Sequence, residues 1–327
     1  MTPFNPNVFT LGATPTVPGQ PAPVAPTFPS PLQPPGNGAI VAPAPFLQAP
    51  RAPGGTGAVD FGTIFSPATT FRVKPRLALS IDAMDKSGKT HYALMTTPDP
   101  IVVVMTDPGT IAVIEKAVRA GRRIAGVLDL RYEGPERRDG TTADKQTWQG
   151  WVDKWTLYEK AITATVANRQ IRTIVKDTET EIWELCQLAH FGKMDKISPH
   201  LRVQCNNAYL ATFSELYARD DLNVILIHQC KKEYKPNSKG EDSWTGNYER
   251  AGMNKIGFQV DLVIRAGWSA QYRCFYTMVP PDQATRYSGG GISGKTWYGP
   301  ESHFAYLGME VFPETILTPE IWGIKPS

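Results

Sequence analysis

Two segments of the chain place a glycine, a lysine and a threonine in a row. In "SGGGISGKTWYGP" the full string G-x-x-x-x-G-K-T runs from Gly289 to Thr296. In "LALSIDAMDKSGKTHYALM" the same string begins with Ala83 instead of glycine and ends on Gly88, Lys89 and Thr90. Small residues let a loop turn its N–H groups toward an anion. A following lysine can reach the anion's terminal oxygens, and the hydroxyl after it can hold a divalent cation. The chemistry implied is that of a nucleoside triphosphate with Mg²⁺.

Context decides between the two. Such a loop needs a buried strand to deliver it and a helix whose positive end faces the phosphates. Before the literal match stands "PPDQATRYSGG", polar and led by proline, and after it Gly299-Pro300 would break a helix within its first turn. Before the imperfect match, Leu77, Leu79 and Ile81 supply an apolar strand, and "THYALMTT" can run as a helix to Pro98. The first position mainly needs a small residue at a tight turn, which alanine provides. The expected phosphate site is therefore Ala83 to Thr90, with Asp85, Lys86, Ser87, Gly88 and Lys89 offering backbone N–H groups and the ammonium. The segment at 289–296 reads as a glycine loop near the C-terminal strands.

The same chemistry needs acids nearby. "RTIVKDTET" puts Asp177 at the end of an apolar run, where it would join Thr90 in holding Mg²⁺; the competing role is a helix N-cap, which Thr178 and Thr180 could also fill. Asp107 closes "IVVVMTDPG" and would position the attacking water, or simply shape the Pro108-Gly109 turn. "NVILIHQCKKEY" ends in His228-Gln229, either of which could contact a γ-phosphate. Two polar segments follow these elements, "HFGKMDKISPHLR" (190–202) and the run from Lys231 to Lys255. They carry Lys193, Lys196, Arg202, Lys231, Lys232, Lys235, Lys239 and Arg250, with Tyr234 and Trp244 interleaved. Cations for phosphates and rings for bases suit single-stranded DNA.

The elements that must position these residues alternate along the chain. Strand-like runs at 76–81, 101–106, 124–130, 171–176 and 222–228 are separated by helical stretches at 110–121, 147–168 and 180–190. This predicts an α/β fold, a mostly parallel sheet with helices on both faces, and antiparallel strands added after residue 255. Residues 1–50 hold no charged residue or histidine and are dense in proline, so an extended, disordered tail is expected over 1–60. The core domain is expected over 70–280, with an extension over 281–327. The four cysteines include no C-x-x-C pair, which argues against a disulfide scaffold or a zinc site. No apolar run reaches the roughly 18–20 residues a bilayer requires, and no basic segment followed by an apolar core marks a signal peptide. With a net charge of +3, a soluble cytoplasmic protein with no membrane partner is expected.

In this order the parts resemble RecA-like P-loop ATPases, most closely the compact phage-encoded, AAA-domain proteins of the Sak type. "KSGKTHYAL" is similar to their phosphate loop, "TIVKDTETEIWEL" to their second acidic strand and its helix, and "NVILIHQCK" to their sensor strand. The resemblance covers about residues 70–280. It implies ATP and Mg²⁺ as ligands, hydrolysis assisted by Asp107, and Gln229 as sensor with His228 as competitor. It further implies DNA contact by segments 190–202 and 231–255, and Lys255 reaching the ATP of a neighbouring subunit in a ring or filament. The expected activity is phage DNA recombination or single-strand annealing, beside a possible single-strand-binding protein. A helicase-like or packaging motor, or a nucleotide-binding scaffold with little hydrolysis, are the alternatives; a small-molecule kinase lacks the arginine-rich lid it would need. The chain departs from the pattern at Ala83, at Lys176 and at Asp107, which stands in place of glutamate.

Overall fold

The computed structural model describes residues 75–132, 143–194, 197–236, 241–253, 256–257, 259–281, 285–287 and 291–323. The proline-rich tail, Lys196, Lys239, Lys255 and the start of the 289–296 string lie outside the described residues.

Six parallel strands form the body of the sheet: β1 (Ala78–Asp82), β2 (Ile101–Met105), β3 (Ile124–Asp129), β4 (Thr173–Asp177), β5 (Asn223–His228) and β8 (Leu262–Ser269). Between β5 and β8 the chain makes a separate antiparallel pair, β6 (Cys230–Pro236) with β7 (Asp242–Arg250). Two antiparallel strands, β9 (Cys274–Met278) and β10 (Thr296–Tyr298), extend the large sheet to eight, in the order β10-β9-β8-β1-β5-β4-β2-β3. β1 therefore lies between β8 and β5, and β4 is the next strand but one from it. The α/β class and the added antiparallel strands match the expectation from sequence.

Among the described residues six α-helices flank the sheet: α1 (Lys89–Thr96), α2 (Thr110–Arg119), α3 (Lys145–Ala167), α4 (Glu179–Phe191), α5 (Pro199–Tyr217) and α6 (Phe304–Val311). The strands alternate between two cores, as the two-residue period of a strand requires. Leu79, Ile81, Val175, Ile225 and Ile227 face one core, with Tyr92 and Leu94 of α1, Ala117 of α2 and Phe304 of α6. Ala78, Ile174, Val224 and Leu226 face the other, with Trp155, Tyr158, Ile182, Tyr209 and Phe213 of α3, α4 and α5.

This parity explains the lysine that interrupts β4. Lys176 points into the α3–α5 side, where its Nζ is fully buried over the Phe213 ring at 4.0 Å and beside Tyr158 and Tyr209. Glu179 sits 3.6 Å away and receives the Tyr209 hydroxyl. Its neighbour Asp177 is thereby turned to the opposite face, toward α1. Among the described residues no helix is long and apolar enough to cross a membrane.

Candidate functional site

β1 delivers the chain into a loop of residues 83–88, and α1 begins at Lys89. Gly88 sits at φ +91°, a left-handed conformation that costs a side-chain-bearing residue energy, and it turns the chain into the helix. No side chain caps α1, and its first turn contains no acid. Its first N–H groups are thus not taken by a cap, the arrangement that favours an anion at a helix start. The Lys89 ammonium folds back over the loop, donating to the carbonyl oxygens of Ala83 at 2.6 Å and Met84 at 3.0 Å. Burial lowers its pKa, opposed by the charges of Asp85, Asp177 and Asp82. Asp85 and Lys86 are exposed, and Ser87 is half-buried.

Thr90, on the first turn of α1, reaches across β5 to the end of β4: its hydroxyl donates to Asp177 Oδ2 at 2.7 Å. The Thr110 hydroxyl, from the first position of α2, donates to the same oxygen at 2.6 Å. Burial raises the Asp177 pKa, while the Thr110 and Thr90 hydroxyls hold it down. Asp177 does not cap α4. Thr178 does, accepting from the Glu181 N–H at 3.4 Å, so the carboxylate is left to face α1. A carboxylate and a hydroxyl 2.7 Å apart, beside an ammonium and a helix start, form an oxygen donor set that suits Mg²⁺ and a phosphate.

The other residues singled out in the sequence fall differently. Asp107 is exposed at the end of β2, and its Oδ1 accepts from the Gly109 N–H at 2.7 Å, shaping the turn into α2; its charge also bears on Asp177. His228 ends β5 with its ring fully buried and neither nitrogen hydrogen-bonded. Burial and the Arg250 charge push its pKa well below the ordinary value. The Gln229 side-chain amide is engaged by Glu181 of α4 at 3.1 Å.

The two polar segments are more ordered than their composition suggests. Residues 190–191 finish α4 and residues 199–202 begin α5, so helices take both ends of the first segment, with Lys193 half-buried after α4 and Arg202 exposed on α5. In the second segment, residues 231–236 and 242–250 lie in the paired strands of the β6–β7 hairpin. Its Tyr, Trp and Thr residues favour strands, and Tyr234 pairs opposite Trp244. Both rings are about half exposed, and Lys232 lies over the Trp244 ring at 5.2 Å. Lys231 and Lys235 are held by Glu249 at 3.2 Å and Glu233 at 2.7 Å. Arg250 turns inward, 4.0 Å from Asp82 and 3.4 Å from the Ser80 hydroxyl on β1. Both feet of the hairpin are pinned to the start of α4: the Gln229 N–H donates to the Thr180 hydroxyl, which in turn donates to the Ala251 carbonyl.

Three contributors were missed by sequence reasoning. Thr110 had a signal, a hydroxyl at the first helical position after Asp107-Pro108-Gly109. Asp82 and Ser80 share the end of β1, hydrogen-bonded at 2.9 Å; two polar residues alternating with Leu79 and Ile81 are their trace in the sequence. Asp82, Arg250, Arg265, Tyr248, Trp268 and Tyr276 line a cavity of about 690 Å³ beside the loop.

At the other string, Gly291 to Gly294 make a turn and Thr296 opens β10 rather than a helix. Lys295 is paired with Glu310 of α6. Among its described residues that segment has neither a helix start nor a strand-end acid at its lysine. No protein-family model matches the chain, and no curated protein matches it closely.

Proposed function

We propose that the chain is a P-loop ATPase of RecA-like organisation that binds ATP–Mg²⁺ at residues 83–90 and single-stranded DNA at the β6–β7 hairpin, acting in phage recombination or strand annealing. One observation carries the reading: the Thr90 hydroxyl and the Asp177 carboxylate meet at 2.7 Å, joining the start of α1 to the end of β4. Two residues 87 positions apart are brought into direct hydrogen-bond contact, where both would face one Mg²⁺ and its water shell.

Thr90 and Asp177 would hold the metal, which, when bound, draws charge from the terminal phosphates. The N–H groups at the start of α1 orient the phosphates, and Lys89 exchanges its loop carbonyl contacts for phosphate oxygens. Asp107, one oxygen engaged in its turn, keeps the other for a water molecule. Thr180 sits three residues beyond Asp177 and holds both Gln229 and Ala251, so a shift at the acid is passed to both feet of the hairpin. A ring or filament, in which Lys255 contributes to a neighbour's site, belongs to the same reading.

The test is ATP hydrolysis with and without a single-stranded oligonucleotide. The reading expects stimulation by DNA and a loss of about 10²-fold or more in Lys89→Ala, the order seen when a charge-stabilising donor is removed. Hydrolysis by Lys89→Ala at the wild-type rate would reject the site. A second reading, a nucleotide-binding scaffold with little turnover, is favoured by Asp107 itself: a short acid already committed to the Gly109 N–H. Tight ATP binding without turnover, with or without DNA, would select it.

A further inference from the structure

Away from the loop, α4 and α5 bring together three soft ligands that no part of the reading above uses. Cys186 and His190 lie four residues apart on one face of α4, and Cys205 faces them from α5. The three ligand atoms lie within 4.8 Å of one another. Cys186 Sγ is 3.3 Å from Cys205 Sγ and 3.7 Å from His190 Nδ1. Both thiols are fully buried, and the imidazole is half-buried at the rim. His190 Nδ1 is also 2.8 Å from the Cys186 carbonyl oxygen. Kept on that carbonyl, Nδ1–H fixes the ring's tautomer and leaves Nε2 as the ligating nitrogen, so the 3.7 Å contact marks the nearness of the ring to the sulfur and not of the ligating atom.

We propose that Cys186, His190 and Cys205 form a site for a thiophilic metal ion, zinc by geometry, that clamps α4 to α5. Zinc–sulfur bonds of about 2.3 Å at a tetrahedral angle set two thiolates roughly 3.8 Å apart, so the pair needs to open by only about 0.5 Å. A disulfide would need the sulfurs to close by about 1.2 Å, to roughly 2.05 Å. Two sulfurs and one nitrogen are the ligand types zinc prefers, and solvent at the half-exposed His190 side supplies the fourth ligand. Binding releases the two thiol protons to solvent and changes no oxidation state. The absence of C-x-x-C, read as evidence against zinc, overlooked that a helix offers ligands at i and i+4 and a neighbouring helix the third. The clamp sits at the end of α4, two residues before Gly192, and ties that end to α5.

The test is titration of the full-length reduced protein with Co²⁺ as spectroscopic probe, followed by displacement with Zn²⁺. The expected result is a thiolate-to-cobalt charge-transfer band with tetrahedral visible bands, saturating at about one ion per chain and erased by zinc. Cys205→Ser and His190→Asn should lose the bands, while Cys230→Ser and Cys274→Ser keep them. Should Cys205→Ser fail to fold by circular dichroism, His190→Asn at the rim carries the test alone. The proposal is overturned if the wild type shows no charge-transfer band, if the bands survive His190→Asn, or if mass spectrometry finds a Cys186–Cys205 disulfide as the stable form in reducing buffer. None of these outcomes depends on nucleotide, so the metal site and the ATPase reading stand or fall separately.

Discussion

At the scale of single residues, His228 is the most exacting test of the site's electrostatics. Its ordinary pKa is 6.5, and burial with the nearby Arg250 holds the folded value well below that. Below pH 6.5 the unfolded chain takes up a proton that the native chain refuses, so stability is full above that pH and falls as the pH drops toward the depressed folded value. One such group contributes a slope approaching 1.4 kcal/mol per pH unit. Asp82, Asp177 and Glu179 act in the opposite sense at lower pH, because burial raises their pKa values. Urea unfolding of wild type and His228→Gln at pH 7.5 and 5.5 removes these shared terms by difference. The variant should gain on the wild type by about 1 kcal/mol over that interval; a difference independent of pH would refute a neutral, proton-refusing histidine. At the same scale, the Gln229 amide is spoken for by Glu181, whereas neither nitrogen of the buried His228 has a hydrogen-bond partner.

At the scale of elements, β4 shows how one strand serves two faces. Lys176 and Glu179 form a buried pair on the α3–α5 side, and Asp177 faces α1. Removing one partner leaves a buried charge unmatched, so Lys176→Ala should cost about 3–5 kcal/mol, whereas Lys176→Met combined with Glu179→Gln should recover most of it. Chemical denaturation of the two proteins measures this, and equal losses would mean the pair is not coupled. The hairpin makes a complementary prediction. Lys231 and Lys235 already pair with glutamates, so the single-strand reading expects stacking on Trp244 and Tyr234 to outweigh charge there. Trp244→Ala should weaken single-strand binding by about 1–3 kcal/mol, the worth of one stacked base, and Lys231→Ala by much less. Fluorescence anisotropy with a labelled oligothymidylate reads both; a larger effect at Lys231 would put the contact on charge instead. The sequence concealed this because composition counts lysines without their partners, and the pairings depend on a strand register that only the folded hairpin fixes. Local signals were legible: the Leu77–Ile81 strand, the helix after Thr90, the acid closing β4. Long-range ones were not. Nothing near Cys186 announces Cys205, and nothing near Asp177 announces Thr110.

At the scale of the whole molecule, strand order turns separated motifs into one site. With β5 between β1 and β4, the first turn of α1 lies within a side chain's reach of the β4 carboxylate, and both feet of the hairpin rest on the same sheet edge. The string at 289–296, a complete match by letters, leads instead into edge strand β10, with Lys295 committed to Glu310. Letters alone favour the string at 289–296; the strand before and the helix after favour the one at 83–90. Calorimetric titration of ATP–Mg²⁺ into wild type, Lys89→Ala and Lys295→Ala therefore tests the central claim most directly. The account predicts that Lys295→Ala binds as the wild type does and that Lys89→Ala loses binding. Binding abolished by Lys295→Ala and untouched by Lys89→Ala would contradict it.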